Sequence, residues 1–232
     1  MRSSPTFIVF TRKPLPGATK TRLAAHIGAH NAAALADAFT RDALAKLRAL
    51  GMPLIIAGIA DAPVQTSQYF RSLARRFDAN LIDQEQGNLG ARMARVMAPF
   101  ARRGVLLMGT DTPSIPVSVL KRSVSLLRQN QVVLGPSLDG GYYLVGIHGM
   151  VPDMFRGIRW GSSRVLEQTL TRLIKLGIRP ALAPAWYDVD RWGDLILLAE
   201  HLHRLSRRQT LPCPATAKVL VELGLLGDLP LK

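Results

Sequence analysis

The chain has a single cysteine, Cys213, so neither a disulfide framework nor a cysteine-based zinc site is available to it. Long apolar runs are missing too. Stretches such as Leu195–Ala199 fall far short of the roughly 20 residues that span a bilayer, so no membrane span is expected. The start, Met1-Arg2-Ser3-Ser4-Pro5, carries one cation and no apolar segment of signal-peptide length; cytoplasm is the expected compartment. None of the five histidines (His26, His30, His148, His201, His203) forms an H-E-x-x-H set, and no G-x-S-x-G elbow or Walker A spacing occurs. Acidic residues are scarce: 16 Asp+Glu stand against 30 Lys+Arg, a formal net charge of +14.

What is present is globular in proportion. Of 232 residues, 48% are apolar and 20% charged, which excludes wholesale disorder and fibrous repeats and fits one compact domain. The cations are scattered (Arg71, Arg75, Arg76, Arg92, Arg95, Arg102), with a small cluster at Arg204, Arg207 and Arg208. No run reaches five like charges, so the excess reads as a solvated basic surface that can steer anionic substrates, with no specific nucleic-acid partner.

Hydrophobic patterning alternates between strand and helix. Thr6–Thr11, Pro53–Ile59, Asn80–Asp83, Gly104–Gly109, Gln131–Gly135 and Gly140–Ile147 read as strands. Between them lie a helical region with Ala36, Phe39, Ala43, Leu47 and Leu50 on one stripe, then helices over Tyr69–Phe77, within Gly87–Arg103, and over Pro116–Gln129 and Ser162–Leu176. Trp186–Val189 reads as short and extended, and Asp190 as the N-cap of a helix reaching about Leu205. Short connections between alternating elements predict an α/β three-layer sandwich with a mixed, mostly parallel sheet. Residues 1–210 are expected to form the domain and 211–232 a tail with a packed helix at Ala215–Leu223.

Ligands of open α/β sheets bind beyond the carboxyl ends of the strands, and five polar segments fall beside such ends. Arg12–Arg22 is a Pro/Gly loop in which Gly17 admits backbone donors, Lys20 and Arg22 bring charge, and Thr21 can cap the following helix; it suits a phosphate. Asp111, in Gly109-Thr110-Asp111-Thr112-Pro113, is placed either to ligate a divalent cation or to make an Asx-turn. Gly135–Tyr143 joins two strands and carries Asp139-Gly140-Gly141, also a hairpin signal. Of Asp188-Val189-Asp190, at most one carboxylate is expected at a metal. Gln84–Gly90 is the fifth segment.

Taken in order, F-T-R-x-P-x-P-G-x-x-K-T-R-L (Phe10–Leu23), Q-G-x-L-G-x-R-M (Gln86–Met93), G-T-D-x-P (Gly109–Pro113), G-P-x-x-D-G-G-Y-Y-L-x-G (Gly135–Gly146), W-G-S-S-x-V-L (Trp160–Leu166) and D-V-D-x-x-x-D-L (Asp188–Leu195) resemble one family. It is the bacterial glycosyltransferase-like family of the nucleotide-diphospho-sugar transferase superfamily, some members of which are called arsenosugar-biosynthesis glycosyltransferases. The K-T-R-L element is also similar to that of 2-phospholactate and molybdenum-cofactor guanylyltransferases. The resemblance covers roughly residues 6–200. It implies a GT-A-like, Rossmann-like fold and a metal-assisted glycosyltransferase using Mg²⁺ or Mn²⁺. Arg12, Gly17, Lys20 and Arg22 would bind phosphates, with Gln86 and Gly90 near the base. Asp111 and Asp139 would be catalytic, with Asp111 and Asp190 as metal ligands. Gly140, Gly141, Tyr142 and Trp160 would line the acceptor side. The chain departs from the family pattern where Arg191-Trp192-Gly193 follow Asp190, and Asp111 has no second aspartate of a D-x-D pair. The implied partners are a nucleotide sugar, or an NTP if the chain is a nucleotidyltransferase, and a small-molecule acceptor. A non-catalytic nucleotide- or nucleic-acid-binding module is the alternative outside enzymes.

Overall fold

The computed structural model describes residues 4–206 and 211–227; Arg207 and Arg208 of the basic cluster lie outside them. Among the described residues seven strands form one sheet: β1 (Thr6–Arg12), β2 (Leu54–Ile59), β3 (Asn80–Asp83), β4 (Val105–Met108), β5 (Val132–Pro136), β6 (Tyr142–Ile147) and β7 (Ala181–Leu182). Their order is β3-β2-β1-β4-β6-β5-β7. Only β6 runs antiparallel to its neighbours, so the sheet is mixed and mostly parallel, as the patterning predicts. The helices are α1 (Thr21–Ile27), α2 (Ala29–Arg48), α3 (Gln68–Phe77), α4 (Leu89–Met97), α5 (Val117–Leu127), α6 (Val165–Lys175), α7 (Trp192–Ser206) and α8 (Pro214–Glu222).

The strands are apolar at nearly every position because both faces are covered. Phe7 and Val9 of β1 face a core shared with Leu44 and Leu47 of α2, Phe70 of α3 and Leu120 of α5. Ile8 faces the other core, with Met93 and Met97 of α4 and Leu173 of α6. A third cluster lies away from the sheet, among Leu23 of α1, Phe39 of α2, Leu198 and Leu202 of α7, and Ala217 and Leu220 of α8, with Val189 and Cys213 from the segments before α7 and α8. That cluster seats α1 and α7 next to each other, and both begin at the carboxyl edge of the sheet.

Two local expectations differ from the structure. The last strand is Ala181–Leu182, and Trp186 makes only an isolated bridge to Ser137; Pro184 interrupts the run. Asp190 does not cap α7. The helix starts two residues later, and Asp194 Oδ2 accepts from the N–H groups of Asp190 (3.1 Å) and Arg191 (2.8 Å), which leaves the Asp190 carboxylate free for another partner. Among the described residues no helix is long and apolar enough to cross a membrane.

Asp42, 2% exposed in the middle of α2, caps α8 from outside. Its carboxylate accepts from Ala215 N (3.0 Å), Thr216 N (2.8 Å) and Thr216 Oγ1 (2.6 Å), satisfying donors that the first turn of a helix leaves open. Asp42→Ala should therefore lower stability by about 1.5–3 kcal/mol, read as a lower midpoint of urea unfolding. Asp42→Asn, which keeps one acceptor oxygen, should lose less. An unchanged midpoint in Asp42→Ala would contradict this role.

Candidate functional site

The loop between β1 and α1 turns through Leu15 N donating to Thr19 Oγ1 (2.9 Å), so Thr19 rather than Thr21 makes the side-chain contact that shapes it. Lys20 then takes a left-handed backbone, φ 49° and ψ 46°, which is uncommon for a residue with a side chain. That conformation aims its ammonium inward. Nζ lies 2.6 Å from Asp111 Oδ1 and 2.6 Å from Asp190 Oδ1, and donates to Val189 O at 2.8 Å. Val189 N in turn donates to Asp111 O at 2.8 Å, locking the end of β4 to the segment before α7. Burial pulls the Lys20 pKa down, but the two carboxylates together outweigh it and hold the group above the ordinary lysine value.

These groups sit in a cleft of about 820 Å³ at the carboxyl edge of the sheet. One end is acidic. Asp139 and Asp188 line it beside Asp111 and Asp190. Ser137 Oγ donates to Asp188 Oδ2, and Asp188 and Asp190 both line the cleft while Val189 between them is buried, contrary to the expectation that only one carboxylate reaches it; residues two apart on an extended segment share a face. Burial, then the charges of Asp139, Asp111 and Asp190, push the Asp188 carboxyl up to about 8. The other end is basic. Arg12 closes β1 and Arg92 projects from α4, while Arg22 and Arg191, close in the chain to Lys20 and Asp190, line the cleft between the two ends. Gln84, just past β3, donates from Nε2 to Ala57 O (2.7 Å) and Thr11 O (3.1 Å) and accepts from Arg92 Nη1 at 2.9 Å. Among the described residues no group of three or more His, Cys, Asp or Glu side chains is arranged to hold a metal alone.

Of the residues singled out by sequence, Arg12, Lys20, Arg22, Asp111, Asp139, Gly141, Tyr142, Trp160 and Asp190 line this cleft. Gly17, Gln86, Gly90 and Gly140 do not. Gly17 (φ +81°) shapes the loop from an exposed position. Gln86 is exposed, and its carbonyl accepts from Arg95. Gly90 is a packing residue: a Cβ there would meet Phe155 Cβ and Trp160 Cζ2 at 2.7 Å. At Gly140 (φ +89°) a Cβ would fall 1.9 Å from the Ser163 carbonyl oxygen, so it supports the wall from behind. Gln84 and Arg92 were not picked out as site residues, although Gln84 opens the fifth strand-end segment and Arg92 belongs to the motif around Gly90. Lys46 was missed too; it sits buried on α2 and donates to Pro113 O beneath the Asp111 loop. A lysine one position from Leu47 on an otherwise apolar stripe was its only signal.

The raised Asp188 pKa makes stability depend on pH. Between the ordinary 3.8 and about 8 the folded chain holds a proton that the unfolded chain has released. That contribution is complete below about pH 4 and lost as pH rises through about 8. The unfolding free energy of the wild type should therefore fall relative to Asp188→Asn across that window, measured by urea titration at each pH. A pH-independent difference would contradict the assignment.

The family model of uncharacterised proteins conserved in bacteria, DUF2064, matches residues 32–162. No curated protein matches the chain. Among solved structures, a candidate nucleotide-diphospho-sugar transferase from Desulfovibrio desulfuricans is 29% identical over 95% of this chain and 96% of its own, with a TM-score of 0.82. The fold alone is shared with two others. A 4-diphosphocytidyl-2C-methyl-D-erythritol synthase from Anaerococcus prevotii is 10% identical, covers 86% of this chain and 99% of its own, and has a TM-score of 0.55. A nucleotidyl transferase from Methanothermobacter thermautotrophicus is 16% identical, covers 86% and 98%, and has a TM-score of 0.53. The fold is that of nucleotide-diphospho-sugar transferases and nucleotidyltransferases, and with more than half of its length matched, the chain belongs to the DUF2064 family.

Proposed function

We propose that the chain is a metal-assisted glycosyltransferase that moves a sugar from a nucleoside diphosphate sugar to a small-molecule acceptor. The observation that carries this reading is the Lys20 ammonium, held at 2.6 Å by one oxygen each of Asp111 and Asp190. Two carboxylates already share a cation there. Such a donor set fits Mg²⁺ or Mn²⁺, which take hard oxygen ligands; Mg²⁺ is commonly bound through one or two carboxylates and the phosphates of a substrate. Asp111 and Asp190 would hold the ion. When bound, it supplies charge neutralisation for the departing diphosphate.

The chain's own side chains do the rest. Lys20, Arg22 and Arg191 give the diphosphate cationic partners that favour its charge as it leaves. The bond that breaks joins the anomeric carbon to a diphosphate oxygen, which keeps the electron pair. The bond that forms joins that carbon to an acceptor oxygen, whose proton passes to a carboxylate. Asp139 suits that role: its Oδ1 accepts from Gly141 N at 2.9 Å, leaving Oδ2 toward solvent and acceptor. Charge favours glycosyl over nucleotidyl transfer. Neutral sugar hydroxyls can donate to Asp139, whereas a further phosphate brought beside its carboxylate would be repelled. The 29% identity to a candidate nucleotide-diphospho-sugar transferase supports the same choice.

The test is product analysis with Mn²⁺ and a panel of nucleoside diphosphate sugars, following slow donor hydrolysis so that no acceptor need be known. Nucleoside diphosphate should be released. Lys20→Ala and Arg22→Ala should each lose roughly 10–150-fold in kcat/KM, the equivalent of one charged hydrogen bond. Asp111→Asn should abolish the dependence on Mn²⁺. Pyrophosphate release from an NTP would make the chain a nucleotidyltransferase instead, and metal-dependent binding with neither product would make it a binding module.

A further inference from the structure

The basic end of the cleft is built differently from the acidic end. Gln84 is wedged where β1 and β2 finish, its amide nitrogen spent on Thr11 O and Ala57 O and its amide oxygen on Arg92 Nη1. The carboxamide thus fixes the Arg92 guanidinium, with both of its own N–H donors spent. Arg12 faces the same space, and neither arginine has an acidic partner among the described residues. Burial, and then the Arg12 charge, lower the pKa of Arg92, which puts the two guanidiniums near one another. Arg92 Nε is buried with no hydrogen-bond partner among the described residues. Beside these donors the same cleft is lined by Ile59, Leu89 and Met93.

Two guanidiniums, which can only donate, against an apolar flank suit a flat ring that presents acceptors, since apolar walls with a few placed polar groups are how pockets orient ligands. Guanidinium groups pair with carbonyl and ring-nitrogen acceptors, as with guanine O6 and N7, and are opposed by an exocyclic amino group. We infer that Arg12 and Arg92, the latter positioned by Gln84, read the nucleobase of the donor and select a keto base, guanine or uracil, over the amino bases adenine and cytosine. This rests on the reading of the site as a nucleotide site, with the diphosphate at Lys20 and the sugar at Asp139. The base then takes the remaining end. It replaces the expectation that Gln86 lies near the base.

The experiment is calorimetric binding of GDP, UDP, ADP, CDP and inorganic pyrophosphate to the full chain with Mg²⁺. GDP or UDP should bind at least about tenfold more tightly than ADP and CDP. The GDP and UDP arms show which keto base is preferred. In Arg92→Gln, whose amide both donates and accepts, that preference should shrink to within about threefold while pyrophosphate affinity stays as in the wild type. Gln84→Met should act in the same direction by releasing Arg92. Arg71→Gln, an equal loss of charge on exposed α3, should change neither. Equal binding of ADP or CDP in the wild type overturns the inference. So does an Arg92→Gln variant that weakens pyrophosphate and all four nucleotides alike, because the pair would then be a phosphate clamp. Both outcomes leave the transferase reading standing; binding of none of the nucleotides would remove that reading and this one together.

Discussion

Everything at the carboxyl edge of the sheet is organised around one buried ammonium. Lys20 comes from the loop after β1, Asp111 from the end of β4 and Asp190 from the segment entering α7, and the three meet at 2.6 Å contacts. A left-handed lysine backbone disfavours the loop locally, so the geometry persists because the surroundings over-determine it. The ammonium also lies 5.3 Å from the centre of the Phe39 ring, which anchors it to α2. One cation between two half-exposed carboxylates leaves the spot net negative. Asp139 deepens that deficit, and Asp188, buried beside these carboxylates, answers it by holding a proton to about pH 8.

The cleft is therefore a dipole. Its acidic pole asks for a cation and for hydroxyl donors; its basic pole, at Arg12 and Arg92, asks for acceptors. A nucleoside diphosphate sugar carrying a divalent ion has that distribution along its length: an acceptor-bearing base, a charged middle, and a neutral polyol. The +14 net charge adds a field that raises the local concentration of such an anion without specifying it.

Much of the fold is legible in the sequence because burial on both faces leaves a strong mark. Runs such as Phe7–Val9 and Val105–Met108 are apolar without a gap, and the amphipathic stripe through Phe39, Ala43 and Leu47 could only be a helix. The short edge strand was not legible, since Ala181–Leu182 is a pair of residues with no period to read. Site residues at strand ends were legible where charge follows an apolar run, as at Arg12 and Asp111. Glycines misled: Gly90 and Gly140 look like ligand-facing turns, yet their missing side chains make room for Trp160 and for the Ser163 carbonyl. Gln84 and Lys46 escaped because their function is long-range. Gln84 bonds 27 and 73 positions back along the chain, and Lys46 reaches 67 positions ahead, to a carbonyl that no local pattern points to.

The central claim is that Lys20 occupies the place of a cation that two aspartates are built to share. A crystal structure with Mn²⁺ and a nucleoside diphosphate, with the metal located by its anomalous scattering, tests it directly. The account predicts a metal signal in contact with both Asp111 and Asp190, and the Lys20 ammonium moved from between them onto a phosphate oxygen. A metal bound elsewhere in the cleft, with Lys20 still bridging Asp111 and Asp190, would contradict it.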